Sequence, residues 1–136
     1  MKTFLDSGVL LSAWLGNSPR SIAAKSIVAD ESRDFLTSDA VKLEILPKPA
    51  FEKRRSELEY YNDHFKGIAS EPLSKELGGE ALTLAKQYGL AAMDALHLAS
   101  AIRQGAEEFI TSELPGKPMF RVKELKVISL HSFSQK

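Results

Sequence analysis

Four acidic residues stand out by their positions. Asp6 directly follows the β-type run Thr3-Phe4-Leu5, and Glu113 follows Phe109-Ile110-Thr111-Ser112. Glu44 interrupts the apolar helical run Val41–Leu46. Asp94 interrupts Ala91–Leu96 in the first turn of its helix, where the positive end of the helix dipole favours an ionised carboxylate. Taken singly, each acid has an ordinary explanation, as a first-turn dipole partner or a solvated side chain. Gathered into one cavity, the four would raise one another's pKa and destabilise the site unless a counter-charge were present. A hard divalent cation removes that conflict, and Mg²⁺ or Mn²⁺ prefers oxygen ligands. One or two such ions activate water and stabilise a phosphodiester transition state. The chemistry these acids point to is metal-assisted hydrolysis of nucleic acid.

The elements that must bring the acids together alternate along the chain. Strands are expected at Thr3–Leu5, Asp34–Ser38, Ile68–Leu73, Phe109–Thr111 and Val127–Leu130. Apolar residues at helical spacing run from Val9 to Trp14 and stop at Gly16. Ser18-Pro19 is a cap followed by proline at the first helical position, and it opens a second helix. Ser38 or Asp39 caps a third helix, which Pro47 and Pro49 stop. A charged amphipathic helix is expected over Phe51–Lys66, and another over Ser74–Tyr88, broken at Gly78-Gly79. Ala91–Gln104 is the clearest helix, ended by Gly105. Strands separated by helices predict an α/β fold, three-layer α/β/α with a central, mainly parallel sheet. In such a sheet the ligand crevice lies beyond the carboxyl ends of the strands, where Asp6 and Glu113 fall.

Composition narrows the alternatives. The 136 residues fit a single domain over 1–136, and 43% apolar with 26% charged residues excludes a disordered or collagen-like chain. The lack of cysteine removes disulfides, thiolate zinc sites and cysteine nucleophiles together. With three histidines, carboxylates are the favoured metal ligands. Eighteen basic residues balance eighteen acids, so contact with a polyanion requires a local patch. One basic excess runs from Lys117 to the end, where Lys117, Arg121, Lys123, Lys126 and Lys136 face the single acid Glu124. It reads equally well as a solvated tail. No stretch approaches the ~20 apolar residues of a membrane span, and the acid at position 6 interrupts what would be a secretory signal. The expectation is a cytoplasmic protein that does not enter membranes.

Taken together, these segments resemble the PIN domain (PilT N-terminus) family, specifically the small stand-alone form seen in VapC-type toxins. The likeness rests on the strand ending Leu5-Asp6-Ser7, the acid Glu44 in a helix after a second strand, and the strand ending Ile110-Thr111-Ser112-Glu113. Its most specific part is the helix Met93-Asp94-Ala95-Leu96-His97-Leu98-Ala99-Ser100-Ala101. The resemblance implies a ribonuclease with an acidic pocket binding Mg²⁺ or Mn²⁺. Asp6, Glu44 and Asp94 match the three best-defined acids of the family pattern. Glu113 occupies the fourth acidic position, where the family more often has Asp. By the same likeness, Ser7, Thr111 and Ser112 orient ligands or phosphate oxygens. It also implies single-stranded RNA as substrate, a cognate antitoxin whose tail enters the cleft, and a homodimer. A non-catalytic PIN-like module that binds RNA or protein is the alternative, motivated by Glu113.

Other residues carry less. His97 lies three residues beyond Asp94, near the same helix face, but Leu96, Leu98 and Ala99 beside it favour a buried, hydrogen-bonded histidine over a metal or acid–base role. Lys53-Arg54-Arg55 could touch phosphates, yet the interleaved Glu52, Glu57 and Glu59 favour a solvated helix with internal ion pairs. Trp14 is expected to pack in the core or a dimer contact rather than stack on a base.

Overall fold

A computed structural model describes residues 1–133 of the chain. Strands β1 (Lys2–Leu5), β2 (Asp34–Ser38), β3 (Ser70–Glu71), β4 (Glu108–Thr111) and β5 (Lys126–Ser129) form one sheet in the order β3-β2-β1-β4-β5. Every pairing is parallel. Helices flank the sheet, giving the three-layer α/β/α architecture: α1 (Ser7–Trp14), α2 (Pro19–Val28), α3 (Asp39–Ile45), α4 (Pro47–Phe51), α5 (Arg55–Phe65), α6 (Lys75–Tyr88) and α7 (Ala92–Arg103). From β1 the chain first builds outward through β2 and β3, then returns to the other side of β1 with β4 and β5. The order therefore reverses between β1 and β4, where a parallel sheet opens its crevice.

The core forms where the strands' apolar side chains meet the helices. Phe4, Leu5, Phe109 and Ile110 are fully buried, and the rings of Phe4 and Phe109 stack at 5.4 Å. At the amino ends of the strands, Arg33 pairs with buried Glu108, and Thr3 Oγ1 donates to the same carboxylate at 3.0 Å. This cluster ties β1, β4 and the approach to β2 together at the end opposite the crevice. Trp14 is half-buried and packs against the core, 5.8 Å from the Tyr60 ring.

The caps legible in the sequence are formed. Ser18 accepts from Ser21 N–H at 3.1 Å with Pro19 opening α2, and Ser38 accepts from Val41 N–H at 3.2 Å to start α3. Gly89, at φ +70°, ends α6 in the left-handed region.

Four local expectations are corrected. Pro47 does not merely stop a helix but opens the short α4, because the first helical residue needs no donor. The charged helix begins at Arg55 rather than Phe51, since the chain turns at Glu52–Arg54. Strand β3 shrinks to two residues at the sheet edge, where Pro72 cannot donate. Helix α6 runs unbroken through Gly78 and Gly79. Each glycine costs about 1 kcal/mol there, a cost offset by burial of Leu77, Ala81 and Leu84. Within the carboxyl-terminal basic excess, Arg121 Nη1 donates to the Tyr88 carbonyl at 3.2 Å, while Lys136 lies outside the described residues.

Candidate active site

The carboxyl ends of the three central strands deliver three of the acids to one place. Asp6 follows β1 and is buried, and its backbone N–H donates to Ile110 O at 3.0 Å, extending the β1–β4 ladder to the crevice. Its Oδ2 accepts from Thr111 Oγ1 at 2.9 Å. Glu44 sits on α3, which Ser38 starts directly from the end of β2. Glu113 lies two residues past β4, exposed, with its N–H donating to Thr111 Oγ1 at 3.2 Å and its carbonyl accepting from Ser129 Oγ at 2.7 Å. Asp94 comes from the first turn of α7, half-buried.

Glu44 is held by two donors. Ser7 Oγ and His97 Nε2 both donate to its Oε1, the latter at 2.9 Å. His97 is fully buried, and the same Nε2 lies 3.9 Å from Asp6 Oδ1. One ligand atom from each of Asp6, Glu44 and His97 falls within 4.8 Å of the others. Asp94 and Glu113 stand outside that group but share its electrostatics. Burial raises the Asp94 pKa above the usual carboxylate range, and the charges of Asp6, Glu113 and Glu44 raise it further. Burial likewise raises Asp6, against the opposing effects of His97 and the Thr111 hydrogen bond. Glu44 moves the other way, lowered chiefly by its hydrogen bond from His97. Asp94 thus feels the charges of the other three acids at one end of the sheet.

The donor chemistry fits a hard divalent cation, because buried acids with raised proton affinity are the groups that a doubly charged ion would neutralise. Between carboxylate and imidazole, the carboxylates are the better ligands here. A histidine that binds metal normally donates its second ring N–H to a partner, and buried His97 Nδ1 finds none among the described residues. His97 therefore serves the cleft by orienting Glu44. Its apolar neighbours do mark a buried, hydrogen-bonded histidine, but its partner lies 53 residues away and could not be read from them.

Of the three flanking hydroxyls, Ser7 and Thr111 touch acids of the cleft. Ser112 instead packs against the first turn of α1. A Cβ on Gly8 would stand 2.1 Å from Ser112 Oγ, so glycine is what lets this segment approach α1.

The fold has counterparts among known proteins. The family profile of the PIN domain matches residues 3–113, whereas no curated protein sequence matches the chain. Among solved structures, the chain is similar to one described as VapBC2 from Rickettsia felis bound to a DNA fragment from its promoter. The TM-score is 0.70 at 17% identity, covering 95% of this chain and 98% of that one. A toxin–antitoxin complex from Klebsiella pneumoniae aligns with TM-score 0.68 at 18% identity, over 94% and 97% of the two chains. At such identities these likenesses speak to the fold, which they match over nearly the whole length. With a matching family profile, an all-parallel sheet reversing at β1 and acids at its carboxyl edge, this chain belongs to the PIN domain family.

Proposed function

We propose that this chain is a Mg²⁺- or Mn²⁺-dependent endoribonuclease that hydrolyses single-stranded RNA, and that it is the toxin half of a toxin–antitoxin pair. The observation that carries the reading is the convergence of Asp6 and Glu44 within 4.8 Å, each held by its own donors, beside the charges of Asp94 and Glu113. Asp6, Glu44 and Asp94 would hold the metal, with Glu113 reaching it directly or through water. When bound, the cation supplies a Lewis acid at the phosphate and a means of activating water. The chain's own contribution is orientation and charge. Thr111 fixes the rotamer of Asp6, while Ser7 and His97 fix that of Glu44. The hydrogen bond from His97 keeps Glu44 ionised and available as an oxygen ligand. Ser112 sets the spacing between the first turn of α1 and the segment carrying Glu113.

The toxin assignment draws on the kind of complex to which both structural neighbours belong, and it entails an antitoxin that covers the cleft. A homodimer and a cytoplasmic setting belong to the same reading. Among the described residues no helix is long and apolar enough to cross a membrane.

The test is cleavage of single-stranded RNA with Mg²⁺ or Mn²⁺ by the wild type, Asp6→Asn and Asp94→Asn. Metal-dependent cleavage lost in both variants is expected, and cleavage indifferent to both substitutions would overturn the mechanism. A second reading, a non-catalytic module that binds RNA or protein, is favoured by the exposure of Glu113 outside the 4.8 Å group. Calorimetry separates the two, because the module predicts RNA or protein binding with no heat from millimolar Mn²⁺.

A further inference from the structure

The turn joining α4 to α5 combines two features that cost a folded protein free energy. Phe51, the last residue of α4, is 88% exposed, more than any other large apolar side chain among the described residues. Two residues on, Lys53 has φ +57°, the left-handed region, and it is the one non-glycine with positive φ among the described residues. A side chain at that conformation is strained where glycine would be free. That conformation sets Lys53 apart as a place to look for a use of the side chain.

The charges around the ring are arranged unevenly. Arg54 is occupied, at 3.3 Å from Glu52 and 3.2 Å from Glu57. That bears out the ion-pairing expected of this run, but for this residue only. The side chains of Lys48, Lys53 and Arg55 are exposed and make no ion pair or hydrogen bond among the described residues. Lys48 sits three residues before Phe51 on α4, on the same side of the helix. The one acid between them, Glu52, already faces Arg54. An exposed aromatic ring flanked by uncompensated cations is what a single-stranded nucleic acid requires, with a base on the ring and phosphates on the charges. A protein-docking face would instead cluster apolar side chains, whereas the nearest exposed large apolar residue along the chain, Leu43, lies eight residues before Phe51 on α3.

The turn is also well placed relative to the cleft. Leu46 keeps a helical backbone between α3 and α4, and Ala50 N–H donates to its carbonyl at 3.2 Å. The seven steps from Glu44 to Phe51 therefore span about 10 Å at helical rise.

We propose that Phe51, with Lys48, Lys53 and Arg55, is a binding element for single-stranded RNA, stacking one base beside the acidic cleft. This rests on the ribonuclease reading for its choice of ligand, but binding can be measured apart from cleavage. The experiment is fluorescence anisotropy of a labelled oligouridylate with the full chain in EDTA, titrated with salt. Phe51→Ala removes a solvent-facing ring and leaves the core intact. It should weaken binding about tenfold, the size of one base stacked on one ring, without altering the salt dependence. Lys53→Gly should lower the slope of log affinity against log salt by about 0.7, the value for one phosphate contact on a single strand. The same variant should melt at a higher temperature, because glycine relieves the strained turn. Wild-type affinity and slope in both variants would overturn the proposal. So would a Phe51→Ala variant that binds RNA normally but loses self-association on size exclusion, which would make the ring a protein contact. RNA binding that depends on Phe51, without Mn²⁺-dependent cleavage, would retain this element and sink the ribonuclease reading. Cleavage sensitive to Asp94→Asn but indifferent to Phe51→Ala would do the reverse.

Discussion

A single methyl group at Gly8 probes how tightly the cleft is built. In Gly8→Ala the new Cβ would stand 2.1 Å from Ser112 Oγ and 3.1 Å from Ser112 Cβ. Rotating the Ser112 side chain relieves the first contact, but the second requires one backbone segment to yield by a few tenths of an ångström. Two effects compete. Alanine is favoured over glycine by up to about 1 kcal/mol in a helix, less at the second position of α1, where few intrahelical bonds depend on it. Overpacking costs about 1–3 kcal/mol. Strain wins, and the variant should lose about 1 kcal/mol of stability, a fall in Tm of roughly 3–5 °C for a domain of this size. Activity should suffer more. Asp6 precedes α1 and Glu113 follows Ser112, so the displacement that relieves the clash separates these two acids, and small misplacements of reacting groups cost rate steeply. Cleavage should fall about tenfold at temperatures where the variant is fully folded. Urea denaturation in wild-type and Ser112→Gly backgrounds supplies the control. Without the Ser112 side chain both contacts vanish, and Gly8→Ala should become neutral or stabilising. Equal effects of Gly8→Ala in the two backgrounds, with coupling below about 0.5 kcal/mol, would refute the close-approach argument.

Three further outcomes are expected. His97→Gln should weaken Mn²⁺ binding about tenfold or more by calorimetry, because an orienting partner of a ligand is lost; unchanged affinity would remove His97 from the site. Asp94 has a raised pKa, so its folded form costs stability that appears as pH rises through that pKa. Asp94→Asn should therefore raise the Tm of the metal-free protein at neutral pH while abolishing cleavage, and a lowered Tm would contradict the crowded-charge account. His64 is lowered to about 4 by burial between the rings of Phe35 and Phe65. Its unfolded form binds the extra proton, so its contribution is complete above its ordinary value near 6.5 and is lost as pH falls toward 4. The loss is at most about 3–4 kcal/mol, at about 1.4 kcal/mol per pH unit. His64→Phe should flatten the dependence of unfolding free energy on pH across that window.

Much of this molecule was readable from local pattern. Strand β2 falls where Asp34–Ser38 predicted it, and α7 within one residue of its expected ends. Ser18-Pro19 and Ser38 cap as their types require. Those features arise from neighbours a few residues apart, whose spacing and side-chain chemistry the chain displays directly. The acids were legible as candidates for the same reason, since each interrupts or ends a local pattern.

What folding alone decided lies at long range. The partner of Asp6 is Thr111, 105 residues away, and the donor to Glu44 is His97, a residue whose immediate surroundings mark it as core. Gly8 looks unremarkable until Ser112 is placed against it. The left-handed Lys53 appears only once α4 forms from Pro47 and forces the chain to turn. Periodicity records which face of an element is apolar. It does not record which distant side chain that face will meet, and the chemistry of the cleft resides in those meetings.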